Sequence, residues 1–289
     1  MSDAKPKILI QLDGDTQAST FDAVVAADAG VDHLLRHHGV RPEEVRDLVH
    51  GAIFTRAADQ LNRTAIFVGG SDVTAGESLL AEVCRTFFGP MRVSVMMDSS
   101  GANTTAAAAV LAAEAHVPLR GATVLVLAAT GPVGRRVAHL LAGEGAEVRA
   151  ASRSLDRARA VCETVATRIP RAKIGPWIAS TPQETAAAAQ GCRIVIAAGV
   201  PGVELMPADV RRQCRDLVTA IDLNAVPPAG LEGVDPRDRA TNRDGVTCYG
   251  ALGIGATKMK IHKAAIRKLF ESNDQVLDVD EIFALARSL

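Results

Sequence analysis

Residues 123–134 read TVLVLAATGPVG, and this stretch decides the fold class. Its first half is an apolar run typical of a buried strand, and its second half is a glycine-rich turn that opens a helix. In α/β proteins this order is typical of a dinucleotide site, because glycine lets the backbone approach a pyrophosphate and the helix start presents free N–H groups. Gly131 and Gly134 take the second and third glycine positions of the fingerprint, and Ala129 takes the first. We expect the turn to bind the nucleotide through Thr130, Gly131, Pro132 and Val133.

The strand that follows the turn indicates which nucleotide binds. A site specific for NAD usually has Asp or Glu about 20 residues after the turn, where it accepts hydrogen bonds from the ribose 2′-hydroxyl. Here the predicted strand 147–151 is followed by Ser152 and Arg153, with no carboxylate. Ser152 can donate to a 2′-phosphate and Arg153 can pair with its charge, so the sequence favours NADP, with NAD as an alternative nucleotide. The competing interpretation is that Arg153 is an ordinary solvated loop residue.

The rest of the chain alternates apolar strand patterns with helical patterns, and the series restarts at residue 118. We therefore predict an α/β protein of two domains: an N-terminal α/β domain (1–117) and a C-terminal Rossmann-type NAD(P)-binding domain (118–256). The last helices, in 257–289, are predicted to pack back on the first domain, and a cleft between domains is a favoured place for a ligand. The predicted strands are 8–12, 65–68, 93–97, 123–128, 147–151, 193–197 and 217–222. The predicted helices are 21–28, 42–48, 75–88, 104–116, 133–144, 156–168, 182–190, 258–271 and 280–286.

The composition excludes several classes of protein. The 289 residues carry 32 Lys and Arg against 33 Asp and Glu, a formal net charge of -1, so no overall basic field attracts nucleic acid. Seven Phe, one Tyr and one Trp leave few rings to stack on bases. No apolar run approaches the ~18 residues that span a bilayer, the N-terminus does not resemble a signal peptide, and the five cysteines form no Cys-x-x-Cys. We expect reduced thiols, no metal site and a cytoplasmic location.

Motifs in both predicted domains resemble those of the NAD(P)-dependent methylene-tetrahydromethanopterin dehydrogenases, enzymes of one-carbon (formaldehyde) oxidation in methylotrophic bacteria. The resemblance covers essentially the whole chain and is carried by Asp13-Gly14-Asp15, Ser19-Thr20-Phe21-Asp22, residues 65–70, residues 98–105, residues 130–134, Asp222-Leu223-Asn224-Ala225, Pro227-Pro228, residues 250–255 and residues 258–262. It implies hydride transfer from the methylene carbon of the reduced pterin to NADP or NAD, giving the methenyl form. It further implies homo-oligomers, often trimers, that need no metal, and some family members accept the tetrahydrofolate form.

The implied hydride transfer needs no general acid or general base from the protein. The methylene carbon lies between two nitrogens whose lone pairs stabilise the cation left by hydride loss, and no proton need leave in that step. The protein therefore has to orient the reactants and exclude water. Lys258, by this likeness, faces the pterin as the residue most directly involved in catalysis, and like-charge repulsion keeps its ammonium offset from the reacting carbon. The other candidate contacts with the substrate are Asp15, Asn103, Thr104 and Lys260.

Several candidates keep a plainer interpretation. Asn103 and Thr104 follow a strand end and can simply cap the next helix, and Asp15 can do the same. Lys258 can be an ordinary lysine on a helix surface. Further cofactor contacts are expected from the small residues Ala198 and Gly199 and from the amide of Asn224, and Leu252 is expected to border the nicotinamide ring.

Two alternative functions and two local questions remain open at this point. The functions are a methylene-tetrahydrofolate dehydrogenase and a non-catalytic NADP-sensing protein. His33 and His37, placed on a helix, can share a metal ion, but no third ligand follows nearby. The pairs Arg135-Arg136 and Arg211-Arg212 are expected on solvated helix faces rather than on a nucleic acid.

Overall fold

A computed structural model describes residues 5–289 and divides them into two compact units. The first unit comprises residues up to 104 together with 259–289, and the second comprises 105–258. The predicted α/β class is confirmed, because both units are built on parallel sheets with helices between the strands. The predicted limits differ from these units at two points: residues 105–117, with most of the helix expected to close the first domain, and residues 257–258 group with the second unit.

The first unit contains a five-stranded parallel sheet in the order β12-β4-β3-β1-β2. Its strands are β1 (Ile8–Leu12), β2 (His33–His37), β3 (Thr64–Val68), β4 (Ser94–Met97) and β12 (Val276–Leu277). Its helices are α1 (Thr20–Asp28), α2 (Val45–Ile53), α3 (Val73–Thr86) and α10 (Val279–Arg287). Because β12 pairs with β4 and α10 follows it, the end of the chain packs on the first sheet as predicted.

The second unit contains a seven-stranded sheet in the order β10-β11-β9-β8-β5-β6-β7, in which only β10 is antiparallel. Its strands are β5 (Thr123–Leu127), β6 (Glu147–Ser152), β7 (Lys173–Ile178), β8 (Ile194–Ala197), β9 (Thr219–Asp222), β10 (Arg239–Arg243) and β11 (Val246–Tyr249). Its helices are α5 (Pro132–Gly143), α6 (Leu155–Arg168), α7 (Pro182–Ala189) and α8 (Ala208–Gln213). Two further helices pass from one unit to the other, α4 (Ala102–Glu114) and α9 (Ala251–Lys268).

Side-chain caps fix where many of the helices begin. Asp72 accepts hydrogen bonds from two N–H groups in the first turn of α3, and the Ser154 hydroxyl accepts one, from Arg157 N, in the first turn of α6. Thr181 and Glu184 form a reciprocal capping box at α7. Helix α5 has Gly131 as its N-cap and, like α2 and α8, has no side-chain cap. The N–H groups at the start of α5 are therefore left for another acceptor.

Several predictions of local structure were wrong or incomplete. His33 and His37 lie in the edge strand β2 rather than on a helix. Strands β7, β10, β11 and β12 and the short helix α8 were not predicted. Helix α9 begins at Ala251 rather than at Lys258, so Gly253 and Gly255 lie inside its first turns. Among residues 5–289, no helix combines the length and the apolar character that crossing a bilayer requires.

Candidate functional site

The strand order of the second sheet identifies the edge at which a ligand binds. From β5 the chain adds β6 and β7 on one side and then crosses to add β8 on the other. The carboxyl ends of β5 and β8 therefore flank a topological switch point, which is where open α/β sheets bind ligands. The predicted cofactor residues all follow the carboxyl ends of neighbouring parallel strands, β5, β6, β8, β9 and β11.

The glycine-rich turn lies at this switch point. The N–H of Ala129 donates to Ala151 O over 2.9 Å, which holds the turn beside β6. A Cβ on Gly134 would lie 2.5 Å from Ala128 O, so helix α5 presses directly on the turn and only glycine fits there. A Cβ on Gly131 would lie 3.6 Å from the carbonyl oxygen of Ala198, so these two predicted cofactor residues are neighbours.

The left-handed backbone of the turn falls on a residue that the sequence did not single out. Ala128 has a φ of 55°, whereas Ala129, at the first glycine position, has no positive φ. Because the φ of the buried Ala129 is not positive, alanine is tolerated there without backbone strain. A non-glycine residue in this region costs of order 1 kcal/mol, and such backbone concentrates at functional sites.

Ser152 and Arg153 lie at the carboxyl end of β6, next to the turn. Ser152 is buried and its Oγ accepts a hydrogen bond from Ser154 N over 3.3 Å, while Arg153 is exposed. Arg135, in the first turn of α5, donates from Nε to Thr130 O over 3.0 Å.

The side chain of Asn224 forms hydrogen bonds within the loop after β9. Its Nδ2 donates to Val226 O and to Pro228 O, each over 2.9 Å, and its Oδ1 accepts from Val226 N. Both amide hydrogens are thereby used inside the protein, so Asn224 shapes the loop rather than offering donors to a ligand. Burial raises the pKa of the neighbouring Asp222 carboxyl, against the lowering effect of the N–H groups that it accepts.

The start of α9 explains two of the glycines in residues 250–255, because a Cβ on Gly250 would lie 2.1 Å from Asp235 O. A Cβ on Gly253 would lie 2.0 Å from Asp238 O, so the helix start touches the loop before β10. Leu252, between these close contacts, is 59% exposed at the carboxyl edge of the sheet.

The first sheet has a switch point of its own, between β1 and β3. Asp13, directly after β1, is fully buried and accepts hydrogen bonds from the N–H groups of Asp15 and Ser19. The Asp15 carboxylate accepts from the backbone N–H and the hydroxyl of Ser71, over 2.9 and 2.8 Å. The predicted substrate residue Asp15 thus lies half-buried at the edge where this sheet would bind a ligand.

Asn103 and Thr104 belong to a buried network centred on Asp98. The Asp98 carboxylate accepts the N–H groups of Asn103 and Thr104, and the Thr104 hydroxyl over 2.6 Å. Asn103 Nδ2 donates to Met97 O and to Asp278, and His262 Nδ1 lies 3.7 Å from Asp98. Asn103 and Thr104 are fully buried, so the capping interpretation describes them better than a ligand contact. The sequence analysis did not identify Asp98 as the acceptor of these hydrogen bonds, although an acidic residue between a strand end and a helix start is a typical helix-capping residue.

The two candidate lysines occupy different surroundings on α9. Lys258 is half-buried, whereas Lys260 is exposed and donates a hydrogen bond from Nζ to Leu289 O over 2.7 Å.

The expectation that both arginine pairs lie on solvated helix faces was wrong for one member of each pair, because Arg136 and Arg211 are buried. Arg211 bonds Asp244 over 3.2 Å.

Three of the five cysteines, Cys192, Cys214 and Cys248, lie in or against the same buried apolar cluster of the second unit. All five are free thiols, and burial raises the pKa of Cys162 and of Cys192 to about 11. Across residues 5–289, no group of three or more His, Cys, Asp and Glu side chains is arranged to hold a metal ion.

Comparison with known proteins identifies relatives along almost the whole chain. The family model described as "Methylene-tetrahydromethanopterin dehydrogenase, N-terminal" matches residues 20–100. "Bifunctional protein MdtA" of Methylorubrum extorquens is 44% identical over 287 residues, covering 98% of this chain and 99% of that protein. The "NAD(P)-dependent methylenetetrahydromethanopterin dehydrogenase" of the same organism is 29% identical over 278 residues, covering 93% of each.

A solved structure supports the fold. Shikimate 5-dehydrogenase from Listeria monocytogenes, in complex with shikimate and NAD, superposes with a TM-score of 0.54 at 14% identity and covers 96% of this chain and 95% of its own. At this identity the likeness shows the fold alone. The near-full-length relative at 44% identity and the matching family model show more: the chain belongs to the methylene-tetrahydromethanopterin dehydrogenase family.

Proposed function

We propose that this protein oxidises methylene-tetrahydromethanopterin with NADP as the hydride acceptor and gives the methenyl form. The observation that carries the proposal is the alignment, over 93% of both chains, with a relative named an NAD(P)-dependent dehydrogenase of this pterin. The alignment favours this activity over a methylene-tetrahydrofolate dehydrogenase and over a non-catalytic sensor. The geometry of the second unit supports a nicotinamide cofactor independently.

The residues of the second unit fit a dinucleotide. Helix α5 starts without a side-chain cap, and the turn before it is so close that Gly134 admits no Cβ. Uncapped N–H groups beside a glycine turn are suited to a pyrophosphate. The residues proposed to hold the cofactor are Thr130, Gly131, Pro132, Val133, Ser152, Arg153, Ala198, Gly199 and Leu252, with Asn224 acting through its loop.

The proposed preference for NADP over NAD rests on the end of β6. Arg153 is exposed there, and Ser152 and Ser154 supply hydroxyl groups beside it. An exposed guanidinium next to hydroxyl donors suits a 2′-phosphate, whereas the carboxylate typical of NAD sites is missing.

The substrate is proposed to bind at the carboxyl edge of the first sheet. Asp15, held by Ser71, is suited to accept hydrogen bonds from pterin N–H groups. Asn103 and Thr104 are proposed to act indirectly, since their buried bonds to Asp98 set the start of α4. Lys258 is proposed to face the pterin and Lys260 to lie further out, at the chain's last residue.

The reaction needs orientation more than proton transfer. Bound NADP supplies a hydride acceptor in its nicotinamide ring. The side chains of the site have to fix the methylene carbon and exclude water, because no proton leaves in the hydride step. Lys258 can balance negative charge on the substrate or orient a ring carbonyl, at a distance from the carbon that becomes cationic.

We also propose that the protein is a homo-oligomer, with a trimer favoured, and that it works in the cytoplasm. The family resemblance supports the first point, and the free thiols are compatible with the second. Light scattering on the purified chain measures the oligomer directly.

A steady-state assay with two pterins and two nucleotides tests the proposed function. Methylene-tetrahydromethanopterin with NADP is expected to give the highest kcat/KM for nucleotide reduction. Higher kcat/KM with the tetrahydrofolate form would favour the alternative dehydrogenase. NADP binding without turnover of either pterin would leave only the sensor. Lys258→Ala, compared with the exposed control Arg168→Ala, is expected to reduce kcat/KM for the pterin while leaving the NADP dissociation constant within about twofold.

A further inference from the structure

The described residues of the second unit include five exposed large apolar side chains, and all lie at one edge of its sheet. Ile178 ends β7, and the others follow β8, β9 and β11. They are Ile178, Val200, Val203, Val226 and Leu252, with exposed fractions from 38% to 65%. Exposed apolar side chains scattered singly need no explanation, but a group confined to the ligand-binding edge of an open α/β sheet indicates a surface that a ligand covers.

The loops after β8 and β9 are joined to each other. The N–H of Leu205 donates to Gly230 O over 2.8 Å, which links the end of one loop to the end of the other. A Cβ on Gly202 would lie 3.6 Å from Pro227 O, so the middle of the first loop contacts the second. The two loops therefore present one connected surface.

Buried polar side chains hold the second loop in place. Asn224, only 4% exposed, bonds the backbone of Val226 in both directions and the carbonyl of Pro228. Asp222, 2% exposed, accepts the N–H groups of Asn224 and Leu231, each over 3.0 Å. A satisfied buried network of this kind fixes a loop, so the 49% exposure of Val226 is imposed by the fold.

The direction of the dinucleotide decides which end meets this surface. With the 2′-phosphate at β6 and the pyrophosphate at the turn after β5, the nicotinamide half extends toward β8 and β9. Neighbouring strands lie about 4.8 Å apart, so the ring passes over the loops that carry Val200 and Val226. Ile178, on the far side of β6, belongs to the adenosine half.

Resting on the proposed function, we propose that Val200 and Val226 form the surface on which the nicotinamide ring of bound NADP lies. Their methyl groups exclude water from one face of the ring and compete for none of its hydrogen bonds. The exposed apolar edge of the second unit is thereby explained as a cofactor platform. A second copy of this chain covering the same valines is the rival occupant.

Binding measurements on the full chain test this assignment with two ligands. NADPH carries the dihydronicotinamide ring. 2′-phospho-ADP-ribose has the adenosine, the 2′-phosphate and the diphosphate but lacks the nicotinamide. Val226→Ser and Val200→Ser are each expected to raise the NADPH dissociation constant about fivefold and to reduce the fluorescence enhancement of the bound dihydronicotinamide. The dissociation constant for 2′-phospho-ADP-ribose should stay within about twofold. Ile178→Ser is the matched control, and it is expected to change the dissociation constants of both ligands by the same factor.

Each outcome distinguishes the alternatives. Equal weakening of both ligands by Val226→Ser and Val200→Ser, or no weakening of NADPH, would overturn the platform. A fall in oligomer size on gel filtration, with NADPH affinity unchanged, would identify a contact between copies instead. If the unaltered protein binds neither ligand, the proposed function itself fails. Circular dichroism melting curves confirm that each variant is folded.

Discussion

The Cα of Gly134 lies so close to Ala128 that a Cβ atom there would come within 2.5 Å of the Ala128 carbonyl oxygen. That oxygen is backbone and cannot swing aside. The close approach is what brings the start of α5 to the turn, and it makes the third glycine of the fingerprint a steric requirement.

Gly134→Ala is therefore expected to destabilise the protein by about 2–3 kcal/mol and to weaken NADP and NAD alike. Gly143→Ala, at the other end of α5, is the control, because its Cβ meets only Ile169 Cδ1 at 3.7 Å. That variant should change the free energy of unfolding by less than about 1 kcal/mol. Urea unfolding followed by nucleotide titration measures both effects, and equal stability of the two variants would contradict the close-packing argument.

Arg153→Ala is expected to raise the NADP dissociation constant about 10- to 100-fold, because a charged hydrogen bond to the 2′-phosphate is lost. NAD lacks that phosphate, so its dissociation constant should stay within about twofold. Arg168→Ala, at the opposite end of α6, should change neither. Calorimetric titration gives all the values, and equal weakening of both nucleotides would show that Arg153 does not select between them.

Thr104→Val is expected to lower the free energy of unfolding by about 2 kcal/mol, because it removes the buried hydroxyl that donates to Asp98 over 2.6 Å. Thr104→Ser keeps the hydroxyl and should lose about 1 kcal/mol for the missing methyl group. Both variants should keep the KM for the methylene pterin within about twofold. A large rise in KM for the stable serine variant would show instead that the residue contacts the substrate.

The thiols of Cys162 and Cys192 are expected to resist alkylation in the folded protein. Their pKa values are raised to about 11 by burial, so at pH 8 about one in 10³ is thiolate, roughly a hundredfold less than for an ordinary cysteine. The reaction rate should rise about tenfold per pH unit while the protein stays folded. In urea without reductant all five cysteines should react at once; fewer than five would contradict the free-thiol state.

The sequence predicted the strands near the nucleotide site closely, because they are short buried runs flanked by turn residues. It missed β2, which reads His-Leu-Leu-Arg-His, because an edge strand is exposed and carries polar residues. It missed β7, whose Gly175 and Pro176 argue against a strand, and only pairing with β6 makes that segment one. It also did not indicate why glycine is needed at residue 253 inside α9, since the close contact is with Asp238, in the loop before β10.

The sequence by itself determined the α/β class, the glycine turn and the missing carboxylate after β6, because these follow from periodicity and from neighbouring residues. Only the tertiary structure decided the strand order that creates the two switch points and the partners of the polar candidates. Asn103 bonds Asp278, 175 positions away, and Asn224 turns its amide into its own loop. Local patterns encode which element forms, whereas burial and pairing between distant segments decide which polar side chains remain available to a ligand.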